Sequence, residues 1–189
     1  MVSAAARTRL TPKDYITIER KAPFKNEFIK GEIVAMSGAS RSHNRITGDV
    51  FNGISNQLID SECEAFIGDM RVKAGTTTSY FYPDVVVACK ELRFEDHVFD
   101  TLLNPRIVVE VLSPSTEADD RGEKFARYRQ IPAWQEYILI SEDKVRVEHY
   151  LRQGTEWIST EFRKLTDVLP LISIDCALPL RDIYRRVTF

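Results

Sequence analysis

The chain has 189 residues, 43% hydrophobic and 29% charged, an ordinary globular composition with enough length for one full core and a sheet of several strands. Its net charge of −2 excludes a global basic signature for nucleic acid, so any such contact has to use a local patch. No apolar run approaches the roughly 20 residues that span a bilayer, and the opening MVSAAARTRL lacks the apolar stretch of a secretory signal.

In chain order, TPKDYITIER reads as a short helix with Thr11 as N-cap and Pro12 in its first turn. Lys30-Gly31 reads as a tight turn between two short strands, the second carrying Glu32. Ile46, Val50, Ile54 and Leu58 recur every four residues and mark one face of a helix. CEAFIGDMRVKA and SYFYPDVVVACK read as the next two strands, and NPRIVVEVLS as a third. A helix follows, capped by Ser115 or Thr116, with Phe125, Tyr128 and Ile131 able to face the sheet. WQEYILIS, KVRVEHYLRQ and EWISTEFRKL are strands, the last two a hairpin around Gly154-Thr155, and LPLRDIYRR ends the chain as a short helix. Cys63, Cys89 and Cys176 are odd in number and lack a C-x-x-C pair, which predicts reduced thiols in a cytoplasmic protein. The order predicts a single α/β domain over residues 1–189: a mixed sheet with a βαβ unit and flanking helices, an N-terminal helix and hairpin, and a C-terminal β-hairpin.

Two acids stand where acids are costly. Asp84 follows Pro83 at the head of VVVAC, and Glu110 is sunk among Ile107, Val108, Val109, Val111 and Leu112. A lone buried carboxylate costs several kcal/mol unless a cation, a metal or hydrogen-bond donors compensate it. If the two strands are neighbours, both carboxylates can face one spot, and two convergent oxygens are what Mg²⁺ (or Mn²⁺) takes while keeping several waters.

These residues carry a resemblance. YPDVVV followed by IVVEVLSPST, then DRGEKFARYRQ and QEYILI, is similar to the PD-(D/E)XK nuclease superfamily and, within it, to the Uma-two-type restriction endonuclease family. GEIVAMSGASRSHNRI and FIGDMRVK extend the likeness over nearly the whole chain. The resemblance implies a restriction-endonuclease-like fold, a metal-dependent endonuclease acting on DNA, Asp84 and Glu110 as metal ligands, and Glu32 as an early third carboxylate. A dimer would suit cutting both strands, although no interface signature is legible. The family motif sets a lysine two residues after the acid, where this chain has Leu112. Lys124 is the expected substitute. Ser113 ends the strand roughly 10 Å beyond Glu110, and a helix from Thr116 returns roughly 12 Å to Lys124, so the two meet at one level.

Against these roles stand plainer ones. Asp84 could be a turn residue, Glu110 a structural partner of Arg121, and Lys124 a solvated helix lysine. Glu27, on the other limb of the Lys30-Gly31 turn, ranks below Glu32. His43 could sit near the site or cap its helix, and Asp69 could pair with Arg71 or Lys73. Arg121, Arg127 and Arg129 read as a solvated face with phosphate contact as a second role, and Trp134 and Trp157 as packing. The missing lysine at position 112 also keeps a rival function open: a weak or inert nuclease-fold module that binds nucleic acid or a protein.

Overall fold

A computed structural model describes residues 9–75 and 78–189; most of the opening segment read for a signal lies outside them. Helix α1 (Pro12–Glu19) starts with a capping box, in which the Thr11 hydroxyl accepts from the Asp14 N–H and the Asp14 carboxylate accepts from the Thr11 N–H. Strands β1 (Asn26–Ile29) and β2 (Glu32–Ala35) form the expected hairpin. Its two central residues, Lys30 and Gly31, both have positive φ, 53° and 88°, the condition for a two-residue hairpin turn that twists with its strands. Glycine adopts that φ freely; the lysine pays about 1–2 kcal/mol for it. Helix α2 (Arg41–Gln57) buries Ile46, Val50 and Ile54, as the four-residue spacing predicts.

The next two segments depart from the reading. CEAFIGDMRVKA is two strands, β3 (Cys63–Ile67) and β4 (Arg71–Ala74), and SYFYPDVVVACK is also two, β5 (Ser79–Phe81) and β6 (Val85–Cys89). Each break moves the chain from one sheet to the other. At the first, Gly68 adopts a φ of +69°; at the second, Pro83 has no N–H to give to a ladder. The Gly68 N–H donates to the Asp84 carbonyl at 3.0 Å, which fastens the two crossings together.

A short β7 (Thr101–Leu102), unforeseen in the sequence, completes a five-stranded sheet in the order β2-β1-β5-β4-β7. β8 (Ile107–Leu112), β9 (Glu136–Ser141), β10 (Val147–Gln153) and β11 (Glu156–Phe162) join β6 and β3 in a six-stranded mixed sheet, β11-β10-β9-β8-β6-β3. Only β8 and β9 run parallel there, as the single βαβ unit requires. The crossover is one helical path in three parts: α3 (Glu117–Asp119), a π-helical turn (Asp120–Lys124) and α4 (Phe125–Tyr128). A further ribbon of β12 (Val168–Leu171) and β13 (Cys176–Pro179), also unforeseen, leads into α5 (Leu180–Ile183).

Period-two alternation gives the six-stranded sheet two apolar faces. Val85, Val87, Val109, Val111, Ile138 and Ile140 pack against α2, α5 and the β12–β13 ribbon. Val86, Ala88, Val108, Leu112 and Leu139 pack toward the second sheet and the crossover helix, together with Tyr128, Trp134 and Tyr137. Trp134 and Trp157 are packing residues as expected, their rings 4.4 Å apart. Glu110, between Val108 and Leu112 in parity, points to this second face.

The reading of three reduced thiols is overturned. Cys63 and Cys89 form a disulfide, and Cys176 alone is free and buried. The two half-cystines stand directly opposite each other in the antiparallel β3–β6 ladder, a proximity that strand pairing creates and that no local spacing announces. The cysteine argument for a reducing compartment is thereby removed. Among the described residues, no helix is long and apolar enough to cross a membrane.

The bond closes a loop with a sequence separation of 26, for which loop-closure entropy predicts about 3.5 kcal/mol of stabilisation. Cys63→Ser should lower the urea-unfolding free energy by about that amount. A dithiol reductant should bring the wild type down to the variant and leave the variant unchanged.

Candidate functional site

The β6–β8 ladder pairs Val85 with Val109 and Val86 with Val108, so its continuation sets Asp84 opposite Glu110. The Val111 N–H donates to Asp84 Oδ2 at 2.7 Å, and His43 Nε2 lies 2.7 Å from Oδ1. Both carboxylate oxygens are therefore oriented by neighbours. His43 reaches this place from the first turn of α2, whose cap Ser40 accepts the His43 N–H at 3.0 Å. The Ser40 hydroxyl in turn donates to Glu142, just past β9. Burial pushes the His43 imidazole down, but hydrogen bonding to Asp84 and the charges of Asp84, Glu142 and Asp120 outweigh it, and its pKa is raised.

Glu110 is 3% exposed. Its Oε1 faces the Lys124 ammonium at 3.5 Å and the Tyr128 hydroxyl at 3.3 Å. Lys124, 6% exposed, also lies 3.0 Å from Glu27 Oε1 and 3.0 Å from Asp120 Oδ1. Three carboxylates from three parts of the chain, β1, β8 and the π-helical turn, thus converge on one ammonium. Burial raises the Glu110 pKa well above its ordinary value; Lys124 opposes this, while Asp120, Asp84 and Glu27 add to it. Burial likewise raises Glu27 against the pull of Lys124. For Lys124 itself burial works toward the neutral amine, yet Glu110, Glu27 and Asp120 prevail and hold it as an ammonium, its pKa well above the usual lysine range.

Of the residues read from the sequence, Asp84, Glu110 and Lys124 come together here. Glu32 does not. It shares a face of the hairpin with Glu27, because the register pairs Ile29 with Glu32 and Glu27 with Val34. However, β2 is the outer strand of its sheet, and Glu32 is exposed. Glu27 on the inner strand fills the place, its Oε1 also accepting from the Tyr82 N–H at 3.3 Å. Arg121 lies across Glu148 and Glu117, not against Glu110. Asp69 pairs with Lys25 at 3.0 Å rather than with Arg71 or Lys73. Asp120 and Tyr128 enter the site unforeseen. Their sequence signals were the four-residue steps from Asp120 to Lys124 and from Lys124 to Tyr128, which bring all three to one side of the crossover helix.

Among the described residues no group of three or more His, Cys, Asp or Glu side chains is arranged as a ready-made metal cage. The donor set still suits a hard divalent cation: Asp84 and Glu110 offer carboxylate oxygens, and Mg²⁺ is commonly held by one or two such groups with water and phosphate completing its shell.

Charge compensation by Lys124 has a measurable signature. A buried acid with a raised pKa stabilises the fold below its unfolded value of about 4.3, and that contribution is lost as pH rises through the folded pKa. Lys124→Met removes the cation that keeps Glu110 and Glu27 from rising further. The variant should therefore lose about 3–5 kcal/mol near pH 8, the usual cost of breaking a buried ion pair, and clearly less near pH 5. Urea unfolding at the two pH values measures the difference; equal losses at both would show that the lysine does not hold these carboxylates ionised.

The chain matches a family model described as "Putative restriction endonuclease" (Uma2) over residues 12–180. Two proteins of Synechocystis sp. (strain ATCC 27184 / PCC 6803 / Kazusa) are similar to it. One, sll1609, is 41% identical over 162 residues, covering 85% of this chain and 92% of its own. The other, slr1290, is 35% identical over 182 residues, covering 96% and 94%. The fold is shared with a crystal structure from Anabaena variabilis ATCC 29413 described as a "putative nuclease belonging to DUF820", at a TM-score of 0.76, 19% identity and coverage of 92% and 96%. The match over residues 12–180, most of the chain, places it in the Uma2 family of restriction-endonuclease-like proteins.

Proposed function

We propose that the chain is a single-domain, Mg²⁺- or Mn²⁺-dependent endonuclease that hydrolyses DNA phosphodiester bonds, with Asp84 and Glu110 as metal ligands and Lys124 as its catalytic cation. The observation that carries this reading is the cross-strand placement of Asp84 and Glu110 with the Lys124 ammonium 3.5 Å from Glu110. Family membership supports nuclease chemistry in general, and two strand carboxylates beside a buried ammonium suit a divalent metal and a phosphodiester.

A metal bound by the two carboxylates would polarise a phosphate oxygen and lower the pKa of a bound water. The chain's own residues do the rest. Val111 and His43 hold the Asp84 carboxylate from two sides, which fixes its orientation before any ligand arrives. Tyr128 and Lys124 do the same for Glu110. Three surrounding carboxylates keep Lys124 protonated, so it acts as a fixed positive charge and hydrogen-bond donor toward the phosphate, rather than as a base that takes a proton from water. That division of labour differs from a lysine on the strand at position 112, where Leu112 belongs to the apolar core instead. Glu27 and Asp120 serve as positioning residues for the ammonium.

The rival reading is a nuclease-fold module that binds without cutting, and Leu112 in the motif position is what favours it. Purified protein incubated with supercoiled plasmid separates the two. Wild type should nick in Mg²⁺ or Mn²⁺ and not in EDTA. Asp84→Asn and Glu110→Gln should each lower the rate at least about 10²-fold while DNA binding persists, and Lys124→Met should lower it by roughly the 10²–10³-fold expected for losing one charge-stabilising donor. A wild type that binds DNA and leaves it intact in both metals hands the site to the rival.

A further inference from the structure

The tip of the β1–β2 hairpin borders a cavity of about 350 Å³ whose wall includes Arg9, Phe28, Lys30, Gly31, Thr78 and Arg127. Three of these are cations. Two of them, Lys30 and Arg127, are brought there by elements that also build the ammonium cage. Lys30 follows Glu27 by three residues, roughly 10 Å along an extended chain, and Arg127 follows Lys124 by one helical turn. The two elements that build the ammonium cage therefore each deliver a cation to the same neighbouring hollow.

The backbone around it is shaped for those cations. Lys30 occupies a positive-φ position where asparagine or glycine is the economical choice, and strain of that kind points to a role for the side chain. Gly31 is open to Arg9: a Cβ added at Gly31 would lie 2.9 Å from the Arg9 Cβ, and the Leu10 N–H donates to the Gly31 carbonyl at 3.0 Å, which lays the chain along the turn. Glu123 accepts from Lys30 Nζ and from Arg127 Nε, each at 2.8 Å, and these bonds, Lys30 first, hold its carboxyl below the usual range. Among the described residues of the wall three are cations and none is an acid, and Thr78 stands beside them.

We infer that this cavity is an anion subsite for a phosphate group, and that its occupant is a phosphodiester of the nucleic-acid strand cut at the neighbouring cluster. The inference rests on the nuclease reading for the source of the phosphate. Measured along the duplex axis, about 10 Å is roughly three base pairs at 3.4 Å of rise per phosphate of one strand, so the hollow lies within a few nucleotides of the cluster. The subsite would fix the position and direction of the strand without reading its bases.

The test measures binding without cleavage. A fluorescent DNA duplex is titrated with the full chain in EDTA at several salt concentrations, for wild type, Lys30→Asn and Arg9→Ala. Asparagine suits the positive-φ turn, so Lys30→Asn should melt no lower than wild type, which excludes misfolding as the cause of any loss. Each variant should bind roughly five-fold more weakly near 0.1 M salt, with a salt slope smaller by about one. Inorganic phosphate should displace the DNA from wild type more strongly than chloride at equal ionic strength, and lose that advantage in Lys30→Asn. If phosphate competition disappears in the variant while DNA affinity stays intact, the pocket takes free phosphate and the strand assignment is overturned. If neither changes, the subsite itself is overturned. A wild type that fails to cut in Mg²⁺ or Mn²⁺ yet binds DNA through Lys30 would sink the endonuclease reading and leave the subsite standing.

Discussion

Everything near the site depends on one buried ammonium. Removing Glu27, Glu110 and Asp120 from water costs several kcal/mol each unless the charges are met, and Lys124 meets all three at 3.0–3.5 Å. The three acids come from different parts of the chain, one from each sheet and one from the crossover helix. Their common cation consequently fixes the helix against both sheets at once. The arrangement is weak evidence for stability by itself, since an apolar cluster of equal volume could do as well. Its value is positional: an acid pair that must meet a phosphate needs a cation held at a defined place, and the cage supplies it.

How far this was legible in the sequence depended on range. The α2 helix was readable because Ile46, Val50, Ile54 and Leu58 repeat locally. Glu110 was readable because an acid inside IVVEVL has to be explained, and Lys124 because strand and helix rises bring it back to the same level. Glu27 was passed over in favour of Glu32, although the two share a face of the same hairpin. What separates them is which limb lies beside β5, a pairing between residues some fifty positions apart that the local pattern does not encode. Asp120 was hidden within a run of charges, ADDRGEK, that reads as a solvated helix face.

The two long strands failed for a related reason. CEAFIGDMRVKA and SYFYPDVVVACK are apolar enough throughout to look continuous, and the elements that interrupt them, Gly68 and Pro83, are single residues. Tertiary structure uses each as a point of transfer between sheets. The cysteines show the same dependence, since Cys63 and Cys89 become partners only once β3 lies beside β6. The crossover helix adds a local irregularity: its π-helical turn begins at Asp120 and ends at Lys124. Such turns are frequent at functional sites because they re-aim side chains within an otherwise regular helix.

The paired crossings give the molecule a mechanical property. Asp84 stands where the chain passes from one sheet to the other, and the hydrogen bond from Gly68 to its carbonyl ties the neighbouring passage to the same point. Asp84 and Glu110 travel with the six-stranded sheet, whereas Glu27 travels with the five-stranded one. The seam is thus a fulcrum. The contacts of Lys124 with Glu27 and with Glu110 therefore span the two sheets, so the spacing of these charges depends on the angle between the sheets as well as on the ladders within each.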